Sequence, residues 1–207
     1  MTVRLVLASA SPGRLAVLRG AGVEPEPVVS GVDESGATGQ PAELALELAR
    51  RKARAVAALP MAAGALVLGC DSVLELDGVA LGKPADAAQA LERWQSMRGR
   101  TGSLLTGHCL VDARTAGTRT ETVEVAATGV RFGEPSAQEI AAYVRSGEPL
   151  RVAGAFTLDG LGGWFVESVR GAPSNVVGLS LPVLRRLLAA RGVSIADLWS
   201  VAGDPTG

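Results

Sequence analysis

The sequence predicts an α/β protein built on a mixed sheet. Strand-like and helix-like segments alternate over the first half of the chain. Two strand-like segments follow one another in the middle, and the last third runs helix, strands, helix. A regular doubly wound sheet would alternate throughout, so both parallel and antiparallel pairings are expected.

Residues 3–8 are mostly apolar and read as a buried strand. Ser11 stands where a helix N-cap stands, and Pro12 suits the first helical position. Leu15 and Leu18 follow at helical spacing, and Gly20 and Gly22 can end that helix. Residues 41–59 form a long helix candidate, with Leu44, Leu48 and Val56 on one face and alanines between them. Residues 66–70 read as a second buried strand, with Asp71 and Ser72 following at its carboxyl end. Asp77-Gly78 between residues 73–76 and 79–81 is a two-residue hairpin signal. Residues 84–97 are helical by the spacing of Ala87, Leu91, Trp94 and Met97. Residues 104–112 and 120–127 are strands around a turn at 115–118. Ser136 and Glu139 form a capping box ahead of Ile140, Tyr143 and Val144, and Gly147 ends that helix. Residues 151–158 and 164–169 read as strands joined by the glycine-rich segment 159–163. Residues 181–191 make the last helix, ended by Gly192. One domain is expected over residues 1–199, with a loose tail over 200–207.

Composition narrows the class of function. The 207 residues are 47% hydrophobic and only 3% aromatic, so aliphatic side chains and alanine must fill the core. A formal net charge of −1 argues against a general surface for nucleic acid polymers. The apolar run after Arg4 is too short for a secretory signal, and no stretch approaches the ~20 apolar residues of a spanning helix. Two cysteines, Cys70 and Cys109, are too few for a disulfide framework or a cysteine zinc site. The expectation is a cytoplasmic protein, independent of membranes, with both thiols reduced. The sequence does not fix an oligomeric state; a homodimer is one option. A single histidine, His108, excludes a multi-histidine metal site. It lies in an apolar run and reads as a core residue, with a catalytic role as the alternative. Any metal must be held mainly by oxygen, which points to Mg²⁺ or Mn²⁺.

Chemistry concentrates in a few places. A strand feeding a helix N-terminus through Ser9 and Ser11, with Arg14 in the first turn, suits an anion. The plain alternative is an ordinary cap with a surface arginine. Lys52 falls four residues from both Leu48 and Val56 and shares their inward face. It reads either as a snorkelling lysine or as the partner of a buried anionic ligand, and the second explains the inward placement better. The hairpin brings Lys83 back toward Asp71. An acid and a lysine near a strand's carboxyl end suit a ligand site in an open α/β sheet. Glu34, with Asp33 as its neighbour, lies in a polar loop.

Together these segments resemble the Maf family, the septum-formation-inhibitor-like nucleotide pyrophosphatases. The resemblance covers nearly the whole chain. It includes Ser9-Ala10-Ser11-Pro12-Gly13-Arg14, Gly31-Val32-Asp33-Glu34, Leu48-Ala49-Arg50-Arg51-Lys52-Ala53, Gly69-Cys70-Asp71-Ser72 and Leu81-Gly82-Lys83-Pro84. It continues through Gly147-Glu148-Pro149, Ala153-Gly154-Ala155-Phe156, Asp159-Gly160-Leu161-Gly162-Gly163 and the segment from Asn175 to Pro182.

The resemblance implies an inosine-triphosphatase-like fold: a long curved mixed sheet with two lobes around a cleft. It implies hydrolysis of a nucleoside triphosphate to the monophosphate and pyrophosphate, removing modified or excess nucleotides. The family name also suggests a non-enzymatic, nucleotide-binding regulator of cell division. A pure binder needs a phosphate cradle but no water-orienting acid, and the presence of Asp71 and Glu34 favours the enzyme. In that reading Arg14, Lys52 and Lys83 surround the phosphates, Ser9 and Ser11 hold the pyrophosphate end, and Glu34 and Asp71 take a divalent metal. Asp71 also orients the attacking water. Gly13 stands where many members carry a second arginine, and Asp159 near the position where some carry a glutamine. Ser72 replaces a threonine but keeps a hydroxyl. These family positions help choose the base, so base preference stays open.

Overall fold

The computed structural model describes residues 3–34 and 36–199. A seven-stranded sheet runs in the order β2-β1-β3-β5-β6-β7, with β4 pairing β3 off this path. The strands are β1 (Leu5–Leu7), β2 (Glu26–Pro27), β3 (Leu66–Leu76), β4 (Val79–Leu81), β5 (Thr101–Asp112), β6 (Thr120–Phe132) and β7 (Val166–Arg170). β1 pairs in parallel with β2 and β3, and every other pairing is antiparallel. The sheet is mixed, as the sequence predicts. The helices are α1 (Pro12–Gly20), α2 (Pro41–Ala57), α3 (Ala87–Met97), α4 (Ala137–Arg145), α5 (Pro173–Val176) and α6 (Leu181–Ala189). Among the described residues, no helix is long and apolar enough to cross a membrane.

Successive residues of a strand face opposite sides of the sheet, so its two faces carry separate cores. Val67, Cys109 and Val111 pack with Val6 beneath α2. Leu66, Leu68 and Leu110 pack on the other side with Leu18 of α1 and Leu184 and Leu187 of α6. A third cluster gathers at the far end of β3, β5 and β6 around Trp94, whose indole donates to the Ala155 carbonyl at 2.8 Å. Phe132, Tyr143 and Phe165 meet Trp94 edge-on, so few aromatics suffice to close that end.

The local signals hold where a cap or turn specifies the backbone. Ser11 accepts from the Arg14 amide, and Ser136 and Glu139 cap α4 reciprocally. Asp77 and Gly78 both take positive φ, as a tight hairpin requires. Several boundaries are corrected. The second strand does not end before Asp71; it runs unbroken to Leu76. α3 starts at Ala87 rather than 84, because Asp86 caps it through the Gln89 amide. β5 begins earlier, at Thr101, and β6 continues to Phe132, where β7 pairs with it. Residues 151–158 are not a strand: they contain parts of two 3-10 turns, Pro149–Arg151 and Ala153–Ala155, before an extended stretch. The reason is local, since Gly154 and Ala155 both take positive φ and the Gly154 amide bonds to the Gly82 carbonyl. Leu161–Phe165 is likewise a 3-10 turn, and the strand begins only at Val166. The last helix stops at Ala189. The predicted tail over 200–207 lies outside the described residues.

Candidate active site

The site opens at an interruption in the sheet. β3 pairs with β1 through Leu68 and with β4 only from Leu74 onward. Between these points β3 keeps β5 on one side, with Asp71 opposite Gly107 and Ser72 opposite Thr106. Asp71 and Ser72 are adjacent, so they face opposite sides of the sheet. Each is met by a different cation.

On one side, Asp71 meets Lys52 of α2. Lys52 Nζ lies 2.5 Å from Asp71 Oδ1 and 2.7 Å from Glu34 Oε1. The approach depends on two glycines beneath the helix. A Cβ on Gly69 would stand 2.3 Å from the Ala49 carbonyl oxygen, and one on Gly107 would stand 2.3 Å from that of Ala45. Lacking side chains there, β3 and β5 let the alanine face of α2 settle on the sheet, which brings Lys52 down to Asp71.

Burial raises the Asp71 pKa above the ordinary carboxylate value, against the pull of Lys52 and Arg14. At Glu34, burial also opposes ionisation, but Lys52, Lys83 and Arg14 together outweigh it and the pKa is lowered. The two carboxylates that share this lysine are therefore shifted in opposite directions from their ordinary values.

On the other side, Ser72 meets Arg14, which is only 8% exposed. Arg14 Nε donates to the Gly178 carbonyl at 2.9 Å, Nη1 to Ser9 Oγ at 3.0 Å and Nη2 to Ser72 Oγ at 3.3 Å. Ser9 Oγ also accepts from the Ser11 amide at 3.2 Å. The guanidinium is thus fixed at the start of α1, and the reading of Arg14 as a surface residue is excluded.

The segment carrying Gly178 is itself anchored. The Asn175 amide group donates to the Leu104 carbonyl and to Thr128 Oγ1. Ser72 Oγ and Thr106 Oγ1 lie 3.0 Å apart. His108 Nε2 accepts from the Ser180 amide at 2.9 Å, so Nδ1 carries the proton and donates to the Thr106 carbonyl. Burial takes the His108 pKa down to about 4, leaving the imidazole neutral near pH 7. It is a core histidine that supports the segment carrying Gly178, as its apolar setting predicts.

One cleft, a cavity of about 1020 Å³, gathers the residues singled out from the sequence. Ser9, Ser11, Arg14 and Ser72 line it together with Glu34, Lys52 and Asp71. Lys83 and Asp159 also line it, although both are exposed. Lys83 follows the hairpin strand β4 and acts electrostatically on Glu34. Glu34, and not Asp33, contributes to the lining. The sequence reading missed Thr106, the Gly178 carbonyl, and the wall built from Glu148, Arg151 and Phe156. The motif from Asn175 to Pro182 was visible, but nothing in it announces that a carbonyl will hold Arg14.

Glu34 and Asp71 converge on a single ammonium, so both can face one cation. Among the described residues, no group of three or more His, Cys, Asp or Glu side chains could hold a metal. Two carboxylates suit Mg²⁺ or Mn²⁺ where water and phosphate oxygens complete the shell.

Residues 4–191 match the family described as Maf-like protein. A protein of Streptomyces coelicolor named nucleoside triphosphate pyrophosphatase is 61% identical over 202 residues, covering 97% of each chain. One of the same name from Streptomyces avermitilis is 60% identical and covers 95% of each. The structural likeness to a nucleoside-triphosphatase, or dITP/XTP pyrophosphatase, of Mycobacterium abscessus is slight. It has a TM-score of 0.41 at 19% identity, covering 92% of this chain and 98% of that one. With nearly its whole length matched by the family and by these two relatives, the chain belongs to the Maf-like protein family.

Proposed function

We propose that this protein is a nucleoside triphosphate pyrophosphatase, which hydrolyses its substrate to the nucleoside monophosphate and pyrophosphate. The observation that carries the proposal is the cleft in which Lys52 bridges Glu34 and Asp71 beside the Arg14, Ser9 and Ser11 cradle. The family, and the name shared by relatives at 60% identity and above, agree with it.

A triphosphate carries about four negative charges near neutral pH. Catalysis of its hydrolysis rests mainly on positioning and charge neutralisation. Arg14 offers a planar fork to two oxygens, already held by the Gly178 carbonyl. Ser9, Ser11 and the N-terminal amides of α1 add donors for the pyrophosphate end. Lys52 and Lys83 supply point charges. Asp71 accepts a proton from the attacking water, and Lys52 favours its ionised form against the opposing effect of burial. Glu34 and Asp71 would hold Mg²⁺ or Mn²⁺ together with the substrate. When bound, that ion neutralises phosphate charge and polarises water. Asp71 is a weak base even with its raised pKa, so the ion's contribution matters.

In this reading the protein has two functional lobes. Residues 9–83 grip the phosphates, and residues 146–161 face the nucleoside. It acts on free nucleotides in the cytoplasm. A turnover screen of canonical and modified nucleoside triphosphates, with Mg²⁺ and with Mn²⁺, tests the proposal. Pyrophosphate release from at least one substrate supports it. Saturable binding across the panel without turnover favours a nucleotide-binding regulator.

A further inference from the structure

Glu148 closes the helix-to-turn connection after α4 and lies in the cleft wall, where no contact of its own has yet been given a role. Its carboxylate is saturated with donors. Oε1 accepts from Tyr143 Oη at 3.0 Å, Thr157 Oγ1 at 2.5 Å and the Gly162 amide at 3.1 Å. Oε2 accepts from the Leu161 amide at 3.1 Å. Burial opposes its ionisation, but the hydroxyls and amides around it outweigh burial and lower its pKa.

The loop backbone is shaped to reach this group. A Cβ on Gly160 would stand 2.7 Å from Glu148 Oε2, and one on Gly162 would stand 2.5 Å from the Tyr143 hydroxyl. No residue larger than glycine fits either place without a shift. The loop so held carries Asp159 and Leu161, which line the cleft with Thr157.

We infer that Glu148 is a positioning residue, which buckles the 157–162 loop to the end of α4 and thereby sets the nucleoside-facing wall of the cleft. The inference rests on the proposed triphosphate chemistry for which substrate group meets that wall. The buckle itself is independent of that chemistry. Glutamine cannot replace Glu148. If its carbonyl oxygen takes the Oε1 place, its NH₂ faces the Leu161 amide. If it is turned round, the NH₂ faces the Gly162 amide. Either way two donors meet. The phosphate cradle on α1, α2 and β3 shares none of these contacts, so the loss should fall on the nucleoside alone.

Three readouts on E148Q test this. Amide hydrogen exchange reports the buckle, and Leu161 and Gly162 should lose protection. KM for the preferred triphosphate should rise about tenfold with kcat within about twofold, and discrimination between nucleosides should weaken. Inhibition by inorganic triphosphate, which has no nucleoside, should keep its wild-type Ki. Gly160→Ala presses on Oε2 from the exposed side of the loop and should give the same pattern; it carries the test if E148Q does not fold. Unchanged protection at Leu161 and Gly162 overturns the buckle. Lost protection with unchanged KM and selectivity overturns the role in the cleft. A parallel rise in the inorganic triphosphate Ki also overturns it, by marking a general disturbance. Failure of the wild type to release pyrophosphate would instead count against the proposed reaction and leave the exchange result standing.

Discussion

Lys52 of α2 and Asp71 of β3 form an ion pair at 2.5 Å, with side chains only 11% exposed on each partner. Burial alone would press Asp71 toward its protonated form, and Lys52 opposes that pressure. The pair therefore helps set the pH range over which Asp71 gives up its proton. Glu34 reaches the same ammonium from a half-exposed position, so the lysine links two carboxylates whose pKa values shift in opposite directions.

Asp71→Asn keeps the shape and removes the charge. Turnover should fall by about a hundredfold or more while the fold survives. A base works only when ionised, so wild-type kcat/KM should rise with pH through the Asp71 pKa. Burial places that acid limb above the ordinary carboxylate value of about 3.9. Lys52→Met removes the neighbour that lowers this pKa, so the limb should move to higher pH. Steady-state pH profiles check both shifts, and a limb unmoved by Lys52→Met would separate the pair from the chemistry.

The cations should rank by how firmly they are held. Arg14→Ala and Lys52→Ala should each lower kcat/KM roughly ten- to hundredfold, the scale of one or more lost charged hydrogen bonds. Lys83→Ala should cost less, because Lys83 is exposed. Affinity for the free nucleoside, measured by calorimetry, should change little in all three. Wild-type kinetics in all three variants would move the phosphate site elsewhere.

Gly69 and Gly107 should matter through packing alone. A Cβ at either position meets backbone of α2, so Gly107→Ala should destabilise by about 1–3 kcal/mol in urea unfolding. It should also slow turnover by lifting Lys52 from Asp71. Gly20→Ala, with nothing within 4 Å of the added atom, is the control and should leave turnover unchanged.

Asp159 lines the cleft where some family members carry glutamine. A carboxylate accepts but does not donate, so with the base placed against Asp159, as proposed, uracil and thymine O4 would meet repulsion. Asp159→Gln should raise kcat/KM for uridine and thymidine triphosphates relative to purines. An unchanged ratio across a nucleotide panel would leave base choice to the ground around Gly13. There Val177 already stands 3.0 Å from where a Cβ would lie.

The sequence made the caps, the hairpin and the mixed sheet legible, because each depends on local chemistry: Ser11, Ser136 and Asp77-Gly78 act on their own neighbours. The cleft residues were legible as motifs. Their partnerships were not. Lys52 was expected beside a bound anion, and its pairing with the protein's own Glu34 and Asp71 was not foreseen. The hold on Arg14 comes from a backbone carbonyl 164 residues away, which no side-chain pattern announces. Residues 151–158 misled for a related reason. Their apolar composition suits a strand, but two left-handed residues at 154 and 155 turn the chain, and Gly154 fits against Leu74 because it has no side chain.

The most direct test of the central claim is to run the reaction in ¹⁸O-labelled water with the best triphosphate from the screen and locate the label in the products. Attack at the α-phosphorus predicts one label in the nucleoside monophosphate, unlabelled pyrophosphate in equal amount, and loss of both products in Asp71→Asn. Label in the pyrophosphate, or orthophosphate released with a nucleoside diphosphate, would contradict it.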